Sequence, residues 1–128
     1  MTGEPYLFQA DWQGMPVSIA RASEDELAAL AAPVSTDSIS DVFDPWSIIA
    51  IRSLPTGSTS LRGLGWRAHM QNTWITSRLV AVDPTRNLIG TRSGHIYLLG
   101  GSDKPEITTG LREHLAYALR TWGFTDVR

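Results

Sequence analysis

The chain has 128 residues, a length that fits one domain with a core large enough to need no covalent staple. It contains no Cys, which excludes a disulfide framework and thiolate chemistry. The formal net charge of −2 argues mildly against a nonspecific nucleic-acid binder, since such domains are basic overall.

That net charge conceals an asymmetry. Residues 1–50 carry eight acids against Arg21 alone, a net of −7, whereas residues 51–128 carry ten basic groups against five acids, a net of +5. Between 51 and 102 six arginines face only Asp83. Arg suits bidentate contacts to carboxylates and phosphates, so the second half is a candidate binding surface. The alternative is that the two halves complement each other within the fold. The start, Met1 to Pro5, has neither the basic nor the apolar region of a secretory signal, and no apolar run is long enough to span a bilayer. A cytoplasmic protein without membrane contact is expected.

Tyr6, Phe8, Ala10 and Trp12 alternate with Leu7, Gln9 and Asp11 in a pattern that suits a strand. Gln13-Gly14 can turn the chain into a second strand over 15–20. Ser23 followed by Glu26 is a capping box, and Leu27, Leu30 and Ala31 give a short helix its buried stripe before Pro33. Residues 34–45 read as a solvated connector. Asp37, Asp41 and Asp44 suggest a calcium loop only superficially, because Ile39 occupies a ligand position and the loop Gly is missing.

The centre reads as an antiparallel meander. Trp46 to Arg52 suits a buried strand, and 55–60 is a loop by composition. From 64 to 71, Leu64, Trp66, Ala68 and Met70 are expected to face inward, with Gly65, Arg67, His69 and Gln71 facing out. Trp74 to Val82 is the next strand, turned by Asp83-Pro84 and Asn87. Residues 88–92 and 95–99 flank the two-residue connection Ser93-Gly94, and Gly100-Gly101 breaks the sheet. Gly63, Gly65 and Gly90 are available as bend points, so the sheet is expected to curl into a small, partly open barrel.

The last element is a helix with Leu111, Leu115, Ala118, Leu119 and Trp122 on one face. It starts at Pro105 or is capped by Thr109, and Gly123 ends it, with Leu119 and Phe124 in contact. The expected class is α+β: one domain over 1–128, with a curled antiparallel sheet, a short helix in the N-terminal half and a C-terminal helix.

No catalytic motif is present. His69, His95 and His114 lack companions at metal-ligand spacing, and no Gly-x-Ser-x-Gly elbow or Gly-Lys-Ser/Thr loop occurs. Neither a metal nor a cofactor is expected, and the chain reads as a non-enzyme. The remaining signal is a binding surface. Arg67, His69 and Gln71 form the outward row of one strand, Arg52, Arg62, Arg78 and Arg92 lie on or near its neighbours, and Trp74 and Tyr97 interleave with them. A solvated sheet face is the plainer reading of the same residues.

The run Trp74-Ile75-Thr76-Ser77, then Val82-Asp83, then Thr91-Arg92-Ser93-Gly94-His95-Ile96-Tyr97-Leu98-Leu99-Gly100 resembles a pattern in small uncharacterised proteins of bacterial phages and mobile elements. The resemblance covers about a quarter of the chain and implies an accessory protein that binds a host machine, as inhibitors of CRISPR or restriction systems do. It implies no active site. Two functions therefore stand: a protein-binding module, plausible as an anti-CRISPR-like inhibitor or regulator, and a nucleic-acid-binding barrel using the Arg-rich face.

Overall fold

The structure, a computed structural model, describes residues 6–100 and 107–128. Strands β1 (Phe8–Trp12) and β2 (Met15–Arg21) form the expected hairpin. Gln13 and Gly14 both take positive φ, 50° and 82°, as a two-residue turn matched to strand twist requires. Helix α1 (Glu24–Ala29) follows, and its capping box is present in full. The Ser23 hydroxyl accepts from the Glu26 N–H, and the Glu26 carboxylate accepts from the Ser23 N–H at 2.8 Å.

The meander comprises β3 (Ile39–Ser53), β4 (Thr59–Arg67), β5 (Asn72–Asp83), β6 (Leu88–Thr91) and β7 (Ile96–Leu99). Each pairs antiparallel with the next, so the first and fifth strands point the same way. Those two also pair, in parallel, from Ile39↔Ile96 to Phe43↔Leu99. The barrel is therefore closed, which corrects the expectation of a partly open one. Closure removes two sheet edges that would otherwise remain unpaired.

The length of β3 makes the closure possible. Its first part pairs with β7, its register on β4 shifts between Phe43 and Trp46, and its last part pairs with β2. One 15-residue strand thus belongs to the barrel and also carries the β1–β2 hairpin. The polar connector expected over 34–45 ends early, because β3 begins at Ile39 and Asp41 is 2% exposed.

Alternation along the strands builds two cores. Ile48 and Ala50 point into the barrel with Phe43, Leu61, Leu79, Val82 and Ile89, and Leu27 of α1 and Leu30 just after it cap that cluster. Ile49, Leu64 and Ile75 point outward with Ile19, and the C-terminal helix α2 (Thr109–Thr121) covers them with Leu111, Leu115, Ala118 and Leu119. Thr108, not Thr109, is the N-cap, its hydroxyl accepting from the Leu111 N–H. Pro105 and Gly101 lie outside the described residues. The helix ends as expected: Gly123 takes φ of 99°, and the Phe124 N–H donates to the Leu119 carbonyl at 3.0 Å.

The row expected over 64–71 needs correction. Strand β4 stops at Arg67, and 68–71 is a turn in which Gln71 takes φ of 53°. Trp66 and Met70, expected inward, are 41% and 61% exposed. Alternation in β5 also breaks, at a register shift between Leu79 and Ala81, so Val80 is exposed while Leu79 and Val82 are both buried. Of the three glycines, Gly63 and Gly65 are places of close approach: a Cβ on Gly65 would sit 2.9 Å from Phe43 Cβ and from the Pro45 carbonyl oxygen. A Cβ on Gly90 would meet nothing nearer than 3.9 Å.

Candidate binding cleft at one barrel mouth

Strands β3, β5 and β7 run in one direction, so their first residues share a mouth with the last residues of β4 and β6. A cleft of about 320 Å³ opens there, lined by Asp41, Arg67, Met70, Trp74, Ser77, Thr91, Ser93, His95 and Tyr97 together with Ser40.

Arg67 is the fixed cation of this cleft. Its guanidinium carbon lies 4.1 Å from the centre of the Trp74 ring, and its Nε donates to Asn72 Oδ1 at 2.8 Å. Register explains the contact: Arg67 pairs with Asn72 and Gly65 with Trp74, so all three side chains rise from one face, and Gly65 leaves room beside the indole. Among the described residues no carboxylate pairs with Arg67. Trp74 is itself 41% exposed.

Asp41 supports the cleft from behind. Its carboxylate accepts backbone N–H groups from His69 at 2.9 Å and Met70 at 3.1 Å, and also from Val42. Burial works to raise its pKa, but the three N–H donors outweigh burial and hold the carboxyl below its ordinary value. Asp41 is thereby the buried anchor of the β4–β5 turn. Its spacing from Asp37 and Asp44 carries no hint of this, because its partners lie 28 and 29 residues away.

A chain of hydroxyls crosses the floor. Ser77 Oγ and Thr91 Oγ1 each lie 3.0 Å from Ser93 Oγ, which lies 3.0 Å from His95 Nδ1. The β6–β7 turn sets this spacing, with Gly94 at φ of 90° and the His95 N–H donating to Thr91 Oγ1. The Ser93–His95 contact has the reach of a nucleophile and its base, yet among the described residues no carboxylate orients the imidazole. The sequence offers Ser93-Gly94 only as turn chemistry, and the contacts to Ser77 come from pairing that spacing does not reveal.

The nine residues expected to form one surface divide. Arg67, Trp74 and Tyr97 come together in the mouth, with Tyr97 only 5% exposed and stacked on Phe43 at 4.6 Å between ring centres. Burial pushes the Tyr97 phenol up, and the nearby Arg67 charge works against that shift. Tyr97 is thus mostly a wall of the core, not an exposed aromatic. His69 and Gln71 lie exposed in the turn, not on a strand face. Arg92 is exposed in the β6–β7 turn. Arg52 is bound to Glu26, donating from Nε at 2.8 Å, so here the acidic half does neutralise the basic half. That contact, ahead of opposing burial, brings the Glu26 carboxyl down to about 2. Arg62 and Arg78 face each other elsewhere, across β4 and β5.

Among the described residues no helix is long and apolar enough to cross a membrane, and no three His, Cys, Asp or Glu side chains gather as metal ligands. Comparison of the chain with protein-family models, curated proteins and solved structures finds no match.

Proposed function

We propose that the chain is a non-catalytic protein-binding module whose barrel mouth takes an acidic side chain of a protein partner, with Arg67 as the anchor. The observation that carries this reading is a cation held ready: Arg67 is oriented by Trp74 and Asn72, and among the described residues no carboxylate forms an ion pair with it. A pre-oriented guanidinium loses little side-chain entropy on binding. Ser93 and Ser77 add hydroxyl donors within the same cleft, and Met70 and Trp74 give it an apolar rim. Arg and Trp beside one another are the residue types most often found to dominate interface energetics. The inhibitory role implied by the likeness of residues 74–100 to phage accessory proteins would be exercised here, by covering an acidic surface of a host protein.

A second reading, a nucleic-acid-binding barrel, draws on the same Arg67–Trp74 pair, because an exposed indole can stack a base. Affinity capture from a bacterial lysate separates the two. The wild type should retain a nuclease-resistant protein, Arg67→Gln should lose it at least about tenfold, and Arg78→Gln, remote from the mouth, should keep it. Nuclease-sensitive capture with a steep salt dependence moves the assignment to the second reading. Equal capture by Arg67→Gln and wild type refutes both.

A further inference from the structure

Arg62 and Arg78 are direct cross-strand partners on β4 and β5. Like charges placed opposite each other in a sheet repel, and a fold normally inserts an acid between them. Here none of the described residues does so. Glu26, which shares a surface hollow with Arg78, is held by Arg52.

Arg62 is moreover half-buried. Its Nη1 donates to the Thr76 carbonyl, its guanidinium lies 4.9 Å from the Trp122 ring centre, and its Nε is buried without a partner. Burial, and after it the Arg78 charge, push the Arg62 guanidinium below its ordinary pKa. The pair opens on a pocket of about 480 Å³ between the β3–β4 loop and the end of α2. The loop contributes Ser58 and the start of β4 contributes Thr59 and Ser60, and the Ser53 hydroxyl, like Arg62 Nε, is buried without a partner. Trp122 closes one side.

From this juxtaposition we infer an oxyanion site: the Arg62–Arg78 pair and the hydroxyls of Ser58, Thr59 and Ser60, at the end of the β3–β4 loop and the start of β4, bind a phosphate group, at a place separate from the barrel mouth. The charge count selects phosphate. Two guanidinium groups match a dianion, whereas one carboxylate would leave a positive charge uncompensated in a half-buried place. The neighbouring hydroxyls add the further contacts that a tetrahedral anion can accept. The phosphate is either free or borne by a nucleotide, whose base the Trp122 wall could stack.

The test is a titration of the whole chain with inorganic phosphate, read by melting temperature and by the Trp122 indole N–H resonance. Sodium chloride and acetate at matched ionic strength serve as controls. Phosphate should raise the melting temperature saturably and move that resonance, and the controls should do neither. Arg78→Gln, an exposed change, should weaken phosphate binding at least about tenfold, while Arg67→Gln leaves it as it was. Arg78→Glu supplies Arg62 with an internal partner. It should therefore melt higher than the wild type in phosphate-free buffer and lose the phosphate response. Adenosine monophosphate binding at least about tenfold tighter than phosphate would assign the phosphate to a nucleotide, and equal affinity would assign it to the free ion or a simple monoester. The proposal is overturned by no saturable response to either compound, by acetate acting as well as phosphate, or by Arg78→Gln leaving the response intact.

Discussion

Replacing Gly65 with Ala should destabilise the protein by about 2 kcal/mol, although Ala is the better residue in an unconstrained strand. The new Cβ would lie 2.9 Å from Phe43 Cβ, 2.9 Å from Phe43 Cγ and 2.9 Å from the Pro45 carbonyl oxygen. None of these is the free end of a flexible chain. Phe43 is fully buried and stacked on Tyr97, and the Pro45 oxygen belongs to the backbone of β3 where its register shifts. Overpacking of this kind costs about 1–3 kcal/mol, and the rigidity of all three neighbours puts Gly65 at the upper end. The loss of unfolded-state freedom on going from Gly to Ala returns about 0.4–1 kcal/mol, which leaves about 2. An unfolding entropy of about 2.1 cal/mol/K per residue implies a fall in Tm of roughly 7 °C for a chain of 128 residues. The paired control is Gly90→Ala, whose Cβ meets only ordinary contacts at 3.9 Å or more and which should be neutral or slightly stabilising. Calorimetry or urea unfolding reads both. A neutral Gly65→Ala, or a Gly90→Ala as damaging as Gly65→Ala, would refute the close packing of β4 against Phe43 and Pro45 of β3.

Gly123→Val should cost at least about 1 kcal/mol in urea unfolding, because φ is 99° there and a Cβ would press on Trp12 at 3.3 Å. Asp41→Asn should weaken the β4–β5 turn and flatten the acid limb of the stability profile. Asp41 has a folded pKa below its unfolded value, so its contribution is fully present above the unfolded value, about 3.9, and is lost as pH falls through the lower folded one. Glu26, lowered to about 2, should act in the same direction, and Glu26→Gln should remove that part of the acid sensitivity between about pH 4.5 and 2. An acid limb unchanged in both variants would count against these pairings. Arg67→Gln should cost about 1 kcal/mol by urea unfolding, more than an ordinary surface change, because it gives up the contact with Trp74 and the bond to Asn72.

Local signals carried most of the elements. The Ser23–Glu26 box, the Gln13-Gly14 and Ser93-Gly94 turns, Asn87 at positive φ and the Gly123 stop are all written within a few residues of where they act. The closure is not local: it depends on β3 being long enough to meet β7 at one end and β2 at the other. The polar run 34–45 hides its start, because Asp41 looks solvated until its three N–H partners are known. Strict alternation misled over 64–71, since nothing in Ala68-His69-Met70-Gln71 marks a turn by composition. The residues expected to form one surface divided for a related reason. Arg62 and Arg67 are five positions apart on one strand and so lie on opposite faces, Arg62 toward Trp122 and Arg67 toward the mouth. What reads as one Arg-rich surface in sequence lies in two separate places in space.

The most direct measurement is a ¹⁵N NMR titration of the chain with a glutamate-rich peptide, followed at the side-chain N–H of Arg67, the indole of Trp74 and the amides of Ser93 and His95. A barrel mouth that binds acidic side chains predicts saturable shifts at these four positions, with the Arg62 and Trp122 signals still, and their loss in Arg67→Gln. Saturable shifts confined to other surfaces, or shifts at the mouth that survive Arg67→Gln, would contradict it.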